Sequence, residues 1–271
     1  MDAPRILLTN DDGIDSVGFQ ALYDGLSSLG DVVAVAPADD QSAVGRTVSD
    51  AVELSDHELG YAVHGTPVDC VIAGLSSICP DADLVVSGCN KGANLGAYVL
   101  GRSGTVSAAV EAAFFGLPAI SVSLYIEGGD DWESLATEPG DFAAARAATT
   151  HLVERATTDG VFDAADYLNV NVPYRENAGV GGPLEMRVTQ PSTRYEMGAE
   201  RNGTDEIALT DGIWEQMRGD DVDDPIGTDR RAVADGEISV SPLTAPHSTQ
   251  HHEALDEIAA TFTATVTAEE N

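Results

Sequence analysis

The sequence predicts an α/β fold with a mostly parallel sheet covered on both faces. Three observations carry this. Short apolar runs alternate with helix-period segments from Arg5 to Val172. Clusters of Asn, Asp, Ser and Gly follow several of those runs at their carboxyl ends, where open parallel sheets bind ligands. The chain has 271 residues, 43% of them hydrophobic, enough for one large domain or a core with an appendage.

The elements follow in order. Arg5–Thr9 reads as a buried strand. Val17–Leu29 reads as a helix, with Leu22, Leu26 and Leu29 on one face and Gly30 as its stop. Asp31–Ala36 is a second strand and residues 37–47 a polar loop. Thr47–His64 has the character of extended or hairpin structure. Pro67–Ile78 is a helix with Pro in its first turn. Leu84–Ser87 is a strand, residues 88–102 a Gly/Asn-rich loop, and Thr105–Gly116 a helix ended by glycine. Ala119–Leu124, Phe142–Ala156 and Tyr167–Val172 continue as strand, Ala-rich helix and strand. Beyond about residue 185 the rhythm changes. Short strand-like pieces, "EMRVTQ", "TDEIAL" and "GEISVSPL", alternate with acidic loops, and a helical stretch runs from about His251 to Thr267. This divides the chain into an α/β core, 1–184, and a β-rich and helical extension, 185–271.

Charge excludes several functions. Forty-six acidic residues face thirteen basic ones, for a net charge of −33. Lys91 is the only lysine. The acids are spread along the chain, so they form neither an interaction tail nor a disordered tract. Such a surface repels itself at low ionic strength, and molar salt screens it over a few Å. The charge therefore reports a salt-rich habitat, and the missing basic face argues against nucleic acid as partner. No apolar run reaches the roughly 18 residues that span a bilayer, and the N-terminal residues lack a signal-peptide pattern. A cytoplasmic protein without membrane contact is expected. Cys70, Cys79 and Cys89 contain no C-x-x-C and read as buried thiols.

"ILLTNDDGID" poses the chemical question: two like charges stand side by side where the first strand ends. A solvated turn explains Asn10, Asp11, Asp12 and Gly13 taken alone. Two further polar loops, "DDQSAVGRT" and "SGCNKGANLGAYVLGRSGT", fall at comparable strand ends. Together they gather carboxylates, hydroxyls and amides around one crevice. Ser103, Gly104 and Thr105 open a helix, whose N-terminal N–H groups and dipole favour phosphate. Arg46 lies in the Ser42 loop, Lys91 directly follows Asn90 and Arg102 directly precedes Ser103, which suggests a basic collar offsetting the acidic surface. His247, His251 and His252 read as a solvated helix start, and no histidine stands out as a general acid.

"ILLTNDDGI", the Ser-bearing loop, "GTPVDCV", "VVSGCNKGANLG", "SGTVSAAVEAAFFGLPAISVS", "YLNVNVP" and "DGEISVSPL" resemble the motifs of the SurE family of nucleotidases. The resemblance runs in order from about residue 5 to 245. It implies a Rossmann-like three-layer core and a C-terminal extension used in oligomerisation, as homodimer or homotetramer. It also implies one divalent cation per subunit, Mg²⁺, Mn²⁺ or similar, held by Asp11, Asp12, Ser42 and Asn90. Hard oxygen donors of this kind suit those ions. Asn94 resembles a family position directed at substrate. Cys89, Ala97 and Arg102 depart from the family's usual residues.

The resulting expectation is hydrolysis of nucleoside 5'(3')-monophosphates by metal-activated water. Asp11, Asp12 and Asn94 are the catalytic candidates, and Asn94, Ser103, Gly104 and Thr105 the phosphate-binding ones. Asp11 as a covalent nucleophile is disfavoured, because aspartyl-phosphate enzymes carry D-x-D and these carboxylates are adjacent. The absence of G-x-G-x-x-G and G-x-x-x-x-G-K-[ST] disfavours a dehydrogenase and a P-loop NTPase. The competing class is a nucleotide-binding regulatory protein without turnover.

Overall fold

The computed structural model describes residues 3–127, 132–156, 158–175, 184–217, 222–245 and 253–261. Strand β1 (Arg5–Thr9) leads through the acidic turn into α1 (Val17–Leu26). The helix ends before Leu29, because Ser27 and Ser28 close the last turn through their hydroxyls to Tyr23 O and Gly25 O. β2 (Asp31–Pro37) is followed by the hairpin β3 (Glu53–His57) and β4 (Gly60–His64). α2 (Pro67–Ala73) starts in a reciprocal cap: Asp69 N–H donates to Thr66 Oγ1 and Thr66 N–H to Asp69 Oδ2. Its last turn widens into a π-turn over Gly74–Ile78.

β5 (Leu84–Lys91) runs longer than its apolar pattern. Its pairing with the following strand slips between Ser87 and Asn90, so the bulged strand carries the polar "SGCN" past the apolar core. Gly88 sits in this bulge at φ +133°, where an added Cβ would lie 2.2 Å from Val122 O. There follow α3 (Ala97–Leu100), α4 (Gly104–Phe114), β6 (Ala119–Tyr125), α5 (Ala143–Ala156) and β7 (Tyr167–Pro173).

The later segment supplies β8 (Met186–Val188), the antiparallel pair β9 (Met197–Asn202) and β10 (Glu206–Asp211), α6 (Gly212–Met217), α7 (Asp229–Ala234), β11 (Ile238–Leu243) and α8 (Glu253–Thr261). None of the α8 residues is buried. His247, His251, His252 and the end of the expected last helix lie outside the described residues.

One nine-stranded sheet has the order β3-β4-β2-β1-β5-β6-β7-β11-β8. It is parallel except where β3 meets β4 and β11 meets β7. Alternation along β1 sorts the core into two layers. Ile6 and Leu8 pack with Phe19, Leu22 and Leu26 of α1 and Ala145 and Ala148 of α5. Leu7 packs with Val71 of α2 and Val106 and Ala109 of α4. Helices thus cover both faces, as the alternating pattern requires. β1 and β5 are neighbours, so the acidic turn and the "SGCN" bulge emerge side by side at one end of the sheet.

Candidate active site

Asp11 is 3% exposed and Asp12 half-buried. Asp11 Oδ1 accepts from Thr105 Oγ1 at 2.6 Å. Asp12 Oδ2 accepts the main-chain N–H of Lys91 at 2.8 Å. Burial pushes the carboxyl of Asp11 above its ordinary value, only partly offset by Thr105. Burial, and then the neighbouring charge of Asp11, push Asp12 up to about 7. Asn10, which precedes the pair, shapes the turn: its Nδ2 donates to Gly13 O at 2.8 Å and to Ser16 Oγ at 2.9 Å.

The amino end of α4 abuts this pair. An added Cβ on Gly104 would fall 2.8 Å from Asp11 Cβ, so only glycine lets the helix start approach this closely. Ser103 caps the helix, its Oγ accepting from Val106 N–H at 3.1 Å. Thr105 reaches Asp11 from the first turn.

The Ser42 loop is tied to the site by Gln41 N–H, which donates to Asp11 O at 2.7 Å. Ser42 Oγ donates to Asp40 Oδ1 at 2.6 Å. Ser42, Asp40, Asp12 and Lys91 all line one cavity of about 410 Å³. Asp40 does not stand out in the sequence, yet its charge raises both Asp11 and Asp12. Asn90 turns its Nδ2 to Gly92 O at 2.5 Å, which leaves its amide oxygen as the acceptor end.

Asn94 is buried and clasped from several sides. Its Nδ2 donates to Ser123 Oγ at 2.9 Å and to Thr105 Oγ1 at 3.3 Å. Its main-chain N–H donates to Asn171 Oδ1 at 2.8 Å. Its carbonyl accepts from Asn169 Nδ2 at 2.9 Å and Asn171 Nδ2 at 3.1 Å. A polar relay therefore runs from Asn94 through the Thr105 hydroxyl to Asp11. Asp229 anchors the same loop from α7, accepting N–H from Gly96, Ser192 and Arg230 at 2.7–2.8 Å. Asn169, Asn171 and Asp229 escape a reading of the sequence alone. The alternation of Asn with Val in "YLNVNVP" is the available signal: two amides on one face of a central, buried strand need partners.

The collar of cations is reduced. Arg46 pairs with Glu111 at 2.6 Å and lies over the Phe114 ring. Arg102 lies over Tyr98. Lys91 alone of the three bonds the acidic pair, through its main chain, while its Nζ donates to Glu133 O.

The donors fit a hard divalent cation. Burial disfavours the charged form of both neighbouring carboxylates, a cost that a bound cation would offset, and Ser42 and Asn90 add neutral oxygens. Among the described residues no trio of His, Cys, Asp and Glu is clustered for a metal, so such a site would rest on the carboxylate pair with hydroxyl and carboxamide help.

Fold and site together define an α/β protein with an acidic crevice at the carboxyl edge of its sheet, beside the amino end of a helix. The family described as "Survival protein SurE" matches residues 6–197, and the chain belongs to that family. Its relatives include proteins named 5'-nucleotidase SurE from Haloarcula marismortui, 60% identical over 97% of this chain and 96% of that protein, and from Natronomonas pharaonis, 61% identical over 92% and 96%. The SurE protein structure from Aquifex aeolicus superimposes with a TM-score of 0.74 at 31% identity, covering 95% of this chain and 99% of that one. The halophilic relatives agree with the habitat read from the charge. Among the described residues no helix is long and apolar enough to cross a membrane.

Proposed function

We propose that this chain is a divalent-metal-dependent phosphatase that hydrolyses nucleoside monophosphates to nucleoside and phosphate. The observation that carries the reading is the desolvated Asp11–Asp12 pair set against the amino end of α4. The relatives named 5'-nucleotidase support the substrate class.

Asp11, Asp12, Ser42 and Asn90 would hold the cation, which when bound supplies Lewis acidity and makes water a stronger acid. The first-turn N–H groups of α4, around Ser103, Gly104 and Thr105, receive phosphoryl oxygens and stabilise charge that grows on them. Thr105 orients Asp11 by hydrogen bond. Asn94 acts through Thr105: its amide fixes the hydroxyl so that the Thr105 proton points at Asp11. Residues 185–271 are read as the assembly segment of a homodimer or homotetramer, a reading supported by the unburied α8.

The test is phosphate release from nucleoside monophosphates in molar salt with Mn²⁺ or Mg²⁺. Turnover that disappears with chelator and in Asp11→Asn is expected. Nucleotide binding with no release under any divalent ion would overturn the reading in favour of a regulatory binder.

A further inference from the structure

The chain has two tryptophans, Trp132 and Trp214, and both border one cavity of about 380 Å³. Tyr125, Ile126, Met217, Gly92 and Ala93 complete its lining. Gly92 and Ala93 lie in the loop between Asn90 and Asn94, two residues of the candidate site. Trp132 also borders the neighbouring cavity that holds Asp12, Asp40, Ser42 and Lys91. Lys91 Nζ lies 5.8 Å from the centre of the Trp132 ring, which links that ring to the crevice. Trp132 is thus the wall common to an aromatic slot and an acidic crevice.

The polar atoms of the slot are largely engaged. Tyr125 Oη donates to Met217 O at 2.9 Å. Gly92 N–H donates to Leu124 O at 3.1 Å, and Gly92 O accepts from Asn90. What the slot offers is ring area. Trp214 is half-buried and packs against the apolar cluster that contains Leu95, Tyr125, Ile213 and Met217. Trp132 is 40% exposed, a large indole surface left to solvent within reach of the site. An aromatic heterocycle carried by a phosphate ester answers both cavities at once.

We propose that the Trp132–Trp214 slot binds the base of the nucleotide by stacking, while the phosphate lies at the acidic crevice. The proposal rests on the phosphatase reading for the phosphate end alone. Stacking on an aromatic face is tolerant of base identity, since every base has a π face. The slot therefore reads ring size, and adenine and guanine are treated alike.

Two measurements test it. Excitation at the red edge of the absorption band selects the two tryptophans over the seven tyrosines, so adenosine, which has no phosphate, quenches their emission saturably in chelator, and ribose does not. Trp132→Ala raises KM for AMP about tenfold more than it raises KM for glycerol 2-phosphate, a difference equivalent to about 1.4 kcal/mol. Trp132→Phe recovers most of the AMP loss. AMP and GMP differ in KM by less than about threefold. Trp132 is 40% exposed, so the alanine variant folds, and an unchanged circular dichroism spectrum and Tm document that. Absence of quenching by adenosine, or equal KM changes for AMP and glycerol 2-phosphate, overturns the stacking slot. Should the wild type release phosphate from neither ester, the hydrolase reading fails, and adenosine quenching still decides the slot.

Discussion

Asp12→Asn should make the metal-free protein more stable while removing turnover. Burial and then the Asp11 charge push the Asp12 carboxyl from 3.8 up to about 7. At about 1.4 kcal/mol per pKa unit, that gap corresponds to about 4 kcal/mol. The sign follows from the raised folded value. Below 3.8 the group is protonated in both states and costs nothing. Between 3.8 and about 7 the unfolded chain has released the proton and the folded chain keeps it, so stability falls with rising pH. Above about 7 the fold carries the charge at full cost. Asparagine carries none and keeps an oxygen for the Lys91 N–H. At about pH 8 with chelator, the substitution is worth up to about 4 kcal/mol, or on the order of 10 °C in Tm for a chain of this size. The difference should shrink to under half at about pH 5. Scanning calorimetry at fixed molar salt measures it. Mn²⁺ should raise Tm of the wild type and leave the variant unchanged. A variant no more stable than wild type at the higher pH, or a difference that does not shrink toward the lower one, would refute the argument from desolvation.

The remaining predictions concern how the site is held. Gly104→Ala places a Cβ 2.8 Å from Asp11 Cβ; kcat should fall at least about tenfold, with circular dichroism showing the helix content retained. Asn171→Leu leaves the Asn94 N–H without its acceptor and takes one donor from the Asn94 carbonyl. An unmet buried donor costs about 1–3 kcal/mol, so denaturant midpoint and kcat should fall together. Asp69→Ala removes the reciprocal cap of α2, for about 1–2 kcal/mol. Burial alone would raise the Asp69 carboxyl, but N–H and hydroxyl donors from Ser49 and Thr66 outweigh it and hold the group below its ordinary value. Its contribution is therefore present above the ordinary carboxylate range and is lost as pH falls through the lowered value. The wild-type advantage in urea unfolding should vanish in strong acid; an advantage independent of pH would refute the charged cap.

The two Asp of the NDDG turn were legible because residue type alone makes the statement. Adjacent carboxylates after an apolar run need a reason, and period-2 and period-3.6 patterning locates that turn at a strand end. The same local patterning produced most of the first-half elements. It failed at β5, where the strand continues through "SGCNK", because a bulge paired to β6 carries polar residues that no local apolar count includes. It also passed over β9, whose residues are mostly exposed and are ordered by pairing with β10.

By itself the sequence determined the alternating architecture, the acid-rich composition and the adjacent carboxylates at the end of the first strand, since each is written in the types of neighbouring residues. Tertiary structure alone decided that Asp40 adds its field to the acidic pair, that Asn169 and Asn171 clasp Asn94 across some 75 residues of chain, and that two distant tryptophans share a slot. The physical reason is that hydrogen bonds, fields and stacked rings act through space. Which residues meet is fixed by strand order and helix packing, and no local pattern encodes that pairing.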